Sequence, residues 1–259
     1  MITIKIMTVF PEFYNEFLKS SIIGRAISRG LVQFKIINIR DYSLDKNHRV
    51  DDHPIGGGAG LVMRMEPLMD CLRANTTKYS YKILMGPKGK RFTQSDARYL
   101  SKRSDIVLIC GHYEGVDSRF EDYVDAQYSI GDFILTGGEI PAMAMADSIV
   151  RLLPGAIADD STKEESFNDG LLEYPQYTYP KDYEGKKIPD ILFCGNHQVV
   201  EDYHRQQALK ETIEKRPDLI EKMSYNRKDA QLIEDIKHHK NGIEKEEEQA
   251  MEKGKRFLK

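Results

Sequence analysis

Cysteine is scarce in this 259-residue chain: Cys71, Cys110 and Cys194 form an odd, scattered set with no C-x-x-C spacing. That argues against a disulfide framework or a cysteine zinc site, and three unpaired thiols suit a reducing cytoplasm. No uninterrupted apolar segment approaches the roughly 20 residues needed to cross a bilayer, so no membrane partner is expected. The first residues, Met1-Ile2-Thr3-Ile4-Lys5-Ile6, alternate like a strand and lack the basic and apolar regions of a signal peptide. Both common nucleotide fingerprints are missing as well. The glycine run Gly56-Gly57-Gly58-Ala59-Gly60 is neither G-x-G-x-x-G after a strand nor G-x-x-x-x-G-K-[ST], which weakens a nicotinamide dehydrogenase. No cluster of His, Cys and carboxylate has metal-ligand spacing, so no metal ligands are assigned.

What is present is a globular composition, 40% apolar and 31% charged, in a length that suits one large domain or two small ones. Net charge is only −3, but it is unevenly spread. Residues 1–104 carry 18 Lys+Arg against 9 Asp+Glu, residues 105–180 carry 3 against 15, and the remainder balances at 17 each. A basic first part can touch phosphates beside an acidic region where chemistry occurs; the plainer alternative is a set of solvated faces.

In chain order, residues 2–9 read as a strand, and Pro11-Glu12 opens a helix with Phe13, Phe17 and Leu18 on one face. Ser21 to Arg29 predicts a helix closed by Gly30, and Val32 to Ile39 another strand. Helices are expected over Glu66–Thr76 and from a Thr93 cap with Asp96 three residues on, with a strand over Tyr81–Met85 ending at Gly86-Pro87-Lys88-Gly89. Strands alternating with helices predict an α/β fold, a mostly parallel sheet with helices on both faces. Loops 84–89, 110–115 and 130–138 then share the edge where such sheets bind ligands. Beyond Pro154 the composition changes. The expected division is an α/β domain over 1–157, a flexible polar linker over 158–172, and a small α-helical C-terminal domain over 173–259 with a charged tail.

The most informative stretch is 106–153. An apolar run, Ile106 to Cys110, stops at Gly111; a second, Ser129 to Leu135, ends in Thr136-Gly137-Gly138-Glu139 and leads into small and apolar residues at helical spacing. Two glycine-rich loops backed by a helix let backbone approach a ligand closely. The segments Cys110-Gly111-His112-Tyr113-Glu114-Gly115-Val116-Asp117-Ser118-Arg119 and Ser129 to Pro141 resemble the two signature loops of the bacterial tRNA (guanine-N1)-methyltransferases, the TrmD family of SPOUT-type enzymes. Asp51 to Gly60 resembles the same family's glycine loop.

The resemblance implies a deep trefoil knot in the sheet, a homodimer with active sites at the subunit interface, and transfer of a methyl group from S-adenosylmethionine to N1 of the guanine next to the anticodon (position 37) of tRNA. It places the cofactor against Pro87, Gly111, Tyr113, Glu114, Ser129, Ile130, Gly131, Asp132, Phe133, Ile134, Leu135, Gly137, Gly138 and Pro141. Arg151 matches the family's arginine. The family's aspartate precedes Ser-Phe, and here Glu165 holds that place in Glu165-Ser166-Phe167-Asn168-Asp169-Gly170-Leu171-Leu172, with Asp169 the alternative base. His112 and Tyr179 stand where relatives often carry arginine, and His112 is assigned no chemistry. Asp117 is read as a helix cap, and His197 as marking a helix start. Magnesium is associated with the family, but nothing in the sequence places an ion. Arg25, Arg49, Lys88, Lys90, Arg205 and Arg227 are candidate phosphate contacts. The competing readings are a SPOUT-type RNA ribose 2′-O-methyltransferase and a non-catalytic RNA-binding module.

Overall fold

The computed structural model describes residues 1–158 and 165–237. Its contacts divide the chain into two compact units that part between residues 159 and 160. Among the described residues no helix is long and apolar enough to cross a membrane.

The first unit runs β1 (Ile2–Thr8), α1 (Ser21–Ser28), β2 (Val32–Asn38), a two-residue pair β3 (Asp51–Asp52) and β4 (Val62–Met63), α2 (Met65–Asn75), β5 (Tyr81–Arg91), α3 (Gln94–Leu100), β6 (Asp105–Cys110), β7 (Ala126–Ser129) and α4 (Glu139–Val150). Five strands form one sheet in the order β2-β1-β6-β5-β7, every neighbouring pair parallel. Alternation within β6 sorts its side chains between two cores. Ile106, Leu108 and Cys110 join Ile23 and Ala26 of α1 and Met145, Ala146 and Ile149 of α4, whereas Val107 and Ile109 join Leu68 and Leu72 of α2 with Phe120. Helices therefore cover both faces, and the doubly buried strands are nearly continuous apolar runs for that reason.

Local signals hold where the physics is local. Gly30 follows α1 at φ +70°, the left-handed conformation that a residue after a helix end takes. Thr93 and Asp96 close a full capping box on α3. Asp117 caps the short 3₁₀ turn Ser118–Tyr123, its side chain accepting from the Arg119 N–H. Asn196 caps the helix that His197 begins.

Two expectations change. The helix expected from Pro11 is a single 3₁₀ turn, Pro11–Tyr14, and the residue it buries is Tyr14; Phe13 is exposed. The strand expected over Tyr81–Met85 resumes at Lys90-Arg91, because Met85 and Lys90 both register with Tyr128 and residues 86–89 loop out as a bulge. The strand β7 ends at Ser129, and Ile130 to Leu135 is loop, as expected for 130–138.

The second unit packs α5 (His197–Lys215), α6 (Pro217–Ile220) and α7 (Arg227–Lys237) around Leu171, Leu209, Ile220 and Ile233, preceded by a short hairpin of β8 (Asp182–Tyr183) and β9 (Lys186–Lys187). Of the segment read as a linker, residues 159–164 lie outside the described residues. Residues 165–172 are packed: Leu171 is buried in this core, and the Leu172 N–H donates to Thr212 Oγ1 at 2.9 Å. The charged tail from Lys240 also lies outside the described residues.

Candidate active site

Three loops leave the carboxyl ends of β5, β6 and β7 and enclose a cavity of about 330 Å³, at the lower end of the size that ligand pockets occupy. Glycines at 86, 111, 115, 131, 137 and 138 take part in its wall and bring main chain to main chain there. The Gly138 N–H donates to the Gly111 carbonyl at 2.8 Å, and His112 and Gly137 bridge antiparallel. A Cβ on Gly138 would lie 2.7 Å from the Cys110 Cα and 3.0 Å from the Gly111 nitrogen. A Cβ on Gly89 would lie 2.4 Å from the Tyr128 nitrogen, so the bulge at 86–89 closes tightly only with glycine there. Ser129 Oγ donates to the Gly131 carbonyl at 2.8 Å and closes the turn into the third loop.

The loop after β6 is held from below. The Glu114 N–H donates to the Leu61 carbonyl and the Met63 N–H to the Gly115 carbonyl, both at 2.9 Å. The segment just after the Gly56–Gly60 run thereby packs against the cavity loop. Tyr113 adopts φ +61°, and its hydroxyl accepts from Arg40 at 3.3 Å.

Under the floor sits a buried polar group. Thr8 Oγ1 donates to Glu139 Oε1 at 2.8 Å, and the Tyr14 hydroxyl shares a hydrogen bond with the Cys110 thiol at 3.3 Å. Burial, with Cys110 beside it, pushes the Tyr14 phenol far above its usual range, and burial with the nearby Glu139 charge does the same to the Cys110 thiol. Cys110 is therefore inert rather than nucleophilic. Burial and the adjacent Asp96 push Tyr128 up to about 12, so it stays a phenol and donates to Asp96 Oδ1 at 3.2 Å.

Of the fourteen residues expected to contact a cofactor, thirteen line this cavity: Pro87, Gly111, Tyr113, Glu114, Ser129, Ile130, Gly131, Phe133, Ile134, Leu135, Gly137, Gly138 and Pro141. Asp132 does not; it is exposed. His112, which received no role, lines the wall with its ring 4.9 Å from Phe10. Glu121, Gln127 and Tyr128 also line it and were missed, as does Lys88, which was expected on this loop only as a phosphate contact. Glu121 is held below its usual range first by its bond to Gln127 and then by Lys88, whose Nζ lies 3.4 Å away. Periodicity carried no signal for them, since the 86–89 bulge and the 3₁₀ turn bring them in.

Arg151 caps the end of α4, its N–H donating to the Asp147 carbonyl at 3.0 Å, and is not part of the cavity lining. Glu165 and Asp169 lie in the second unit and line a smaller cavity there, about 230 Å³, with Tyr174, His204 and Arg205. Asp169 is ion-paired with Arg205, which also grips the buried Asp229 at 2.9 Å. Four of the six candidate phosphate contacts are likewise committed to carboxylates: Arg49 to Asp45, Lys88 to Glu121, Lys90 to Asp96, and Arg205 to Asp169 and Asp229.

Comparison with known proteins agrees with this architecture. The family described as tRNA (Guanine-1)-methyltransferase TrmD matches residues 2–222. A tRNA (guanine-N(1)-)-methyltransferase of Dictyoglomus turgidum is 49% identical over 238 residues, covering 92% of this chain and 97% of the relative. Proteins of the same name from Clostridium acetobutylicum and Halalkalibacterium halodurans are 45% and 46% identical, each covering 90% of this chain and 96% and 97% of their own lengths. A match of that extent, through the glycine loops and on past the first unit, means that the chain belongs to the TrmD family of tRNA (guanine-N1)-methyltransferases.

Proposed function

We propose that this protein transfers the methyl group of S-adenosylmethionine to N1 of the guanine next to the anticodon, position 37, of tRNA. The observation that carries the reading is the cavity itself, three glycine-rich loops at the carboxyl edge of a parallel sheet inside a chain of this family. Its wall fits an adenosyl group: backbone donors and acceptors at Gly111, Ile130 and Gly138, and an apolar slot from Leu135, Phe133 and Pro141.

When bound, S-adenosylmethionine supplies an electrophilic methyl on a sulfonium. The chain's residues then have two tasks. A carboxylate takes the N1 proton as the N1–CH₃ bond forms and the S–CH₃ bond breaks, work worth ~10²–10⁴-fold. An arginine stabilises the charge that gathers on the purine oxygen. We assign these to Glu165 and Arg151. Asp169, already bound to Arg205, is assigned to holding the segment in place.

The same reading makes residues 1–157 the knotted cofactor-binding and dimerisation domain and 173–259 the tRNA-binding domain. Residues 158–172 then lie over the RNA in an active site shared between two subunits in the cytoplasm. The guanine leaves its stack to reach the methyl group, as bases do in enzymes that modify them. Magnesium is given no step.

The test is incubation with labelled methyl donor and unmodified tRNA, followed by mass spectrometry to locate the modified atom. Label at guanine N1 next to the anticodon is expected. Label on a ribose, or none together with no donor binding by calorimetry, overturns the reading.

A further inference from the structure

Of the four candidate phosphate contacts in the first unit, Arg49, Lys88 and Lys90 are ion-paired. Among the unit's other cations, one group stands beside aromatic rings at the amino edge of the sheet, the rim opposite the cavity. Here β5 begins at Tyr81 and β6 at Asp105, one strand-length, about 15 Å, from the loops at their other ends. The Arg103 guanidinium packs between two tyrosine rings, 4.5 Å from the centroid of Tyr81 and 4.7 Å from that of Tyr99. Lys78 Nζ lies 5.0 Å from the ring of Tyr79. Tyr79 is 72% exposed and Tyr99 47% exposed, and Lys102 is exposed as well.

The carboxylates at this edge do not neutralise these cations. Asp105 is taken by Lys5 at 2.9 Å and Asp125 by Lys82 at 3.2 Å. Among the described residues none of Lys78, Lys102 and Arg103 has an ion-pair partner. The loop that carries Lys78 and Tyr79 is fixed to the same edge, since the Ser80 hydroxyl donates to Asp105 Oδ2. Three cations without a carboxylate partner therefore stand beside two exposed tyrosines at this edge.

We propose that this amino-edge surface binds the sugar-phosphate backbone of RNA, with Lys78, Lys102 and Arg103 on phosphates and Tyr79 and Tyr99 against unpaired bases or riboses. Cations with exposed aromatic faces form the usual platform for RNA without sequence preference. An acidic protein surface would suit the charges but supplies no planar group to stack on the exposed rings of Tyr79 and Tyr99. The proposal rests on the reading of the protein as a tRNA enzyme in one respect: the RNA that reaches this edge is the part of the tRNA outside the anticodon loop, which the opposite rim engages.

The test uses the full chain, with Lys78→Gln/Lys102→Gln as one variant and the same pair plus Arg103→Gln as a second. The double variant leaves the Arg103–tyrosine packing intact, and a thermal melt shows whether each variant is folded. Binding is measured across a salt series to whole unmodified tRNA and to an isolated anticodon stem-loop, with calorimetry for S-adenosylmethionine alongside. The double variant is expected to bind whole tRNA about tenfold more weakly at low salt. The slope of log affinity against log salt should be shallower by roughly 0.9 for each phosphate that is no longer neutralised. Stem-loop and donor binding should be unchanged. Wild-type affinity and slope for whole tRNA in both folded variants overturn the proposal, as does equal weakening for the stem-loop, which would place the binding surface at the catalytic rim. If the wild type fails to methylate tRNA yet its RNA binding still depends on these residues, the functional reading falls and the surface stands.

Discussion

The loops of the first unit and the Glu165–Leu172 segment of the second assemble their polar groups in opposite ways. Around the cavity the work is done by backbone. Glycines at 89 and 138 let main chain meet main chain at distances no side chain tolerates. In the second unit the polar groups are side chains, Glu165, Asp169 and Arg205, whose arrangement depends on ion pairs at a partly exposed surface. A ligand site built from backbone shows itself in sequence as glycines and tolerates little change in them. One built from long side chains tolerates a shift such as Asp to Glu and is harder to locate. Binding and turnover should therefore fail separately when the two regions are altered.

The sharpest break of that comparison is Glu165→Gln, expected to lower turnover by ~10²–10⁴-fold while the Kd for S-adenosylmethionine is unchanged, read by single-turnover kinetics and calorimetry. If Asp169→Asn is the inactive variant instead and Glu165→Gln retains activity, the base is Asp169.

Next in size is Arg205→Ala. It strips the partner from Asp229, whose side chain is only 4% exposed, and should destabilise the second unit by about 3 kcal/mol. A denaturant melt should show that loss in the second unit, with donor binding at the first left intact.

Gly138→Ala should cost about 1–3 kcal/mol and abolish donor binding, because its Cβ meets the Cys110 Cα at 2.7 Å. Gly111→Ala is the control: its Cβ would find nothing closer than the Met85 carbonyl at 3.5 Å, so the fold should keep its stability. Equal destabilisation by both would remove the case for a backbone-built wall.

The smallest effect belongs to Asp96. Burial alone would raise its carboxyl, but the bonds from Lys90 and Thr93 together outweigh that and hold it below the ordinary 3.8. A lowered folded value means the contribution is complete above about 3.8 and lost as pH falls through the lower folded value. Asp96→Asn should lower the melting temperature near neutral pH through loss of the cap, worth about 1 kcal/mol. It should also flatten the acid limb of the stability profile. An unchanged acid limb would show that other carboxylates dominate it.

Much of the first unit was legible because its signals are local. The alternation in Ile2–Thr8, the apolar run of Ile106–Cys110, the Thr93–Asp96 box and the Gly30 stop each follow from steric or hydrogen-bonding rules that act over a few residues. The three loops were legible as glycine clusters at strand ends. The burial of Tyr14 rather than Phe13 was not, since a single 3₁₀ turn has no apolar period to read. Nor were Lys88, Glu121, Gln127 and Tyr128 as cavity residues, since only a register shift and a turn bring them to one wall. The Glu165–Leu172 segment read as linker because its composition is polar, while the Leu172 N–H bond to Thr212 and the buried Leu171 hold it to the helices.

By itself the sequence determined the elements, their alternation and the positions where backbone must approach backbone, because glycine, proline, capping residues and apolar periodicity act on their near neighbours. Tertiary structure alone decided which strand lies beside which, and that Met85 and Lys90 share one partner in Tyr128. It also decided which charges are spent on carboxylates and which remain at the amino edge. Those outcomes depend on residues far apart in the chain, whose pairing is set by packing and electrostatics in three dimensions and leaves no periodic mark in the sequence.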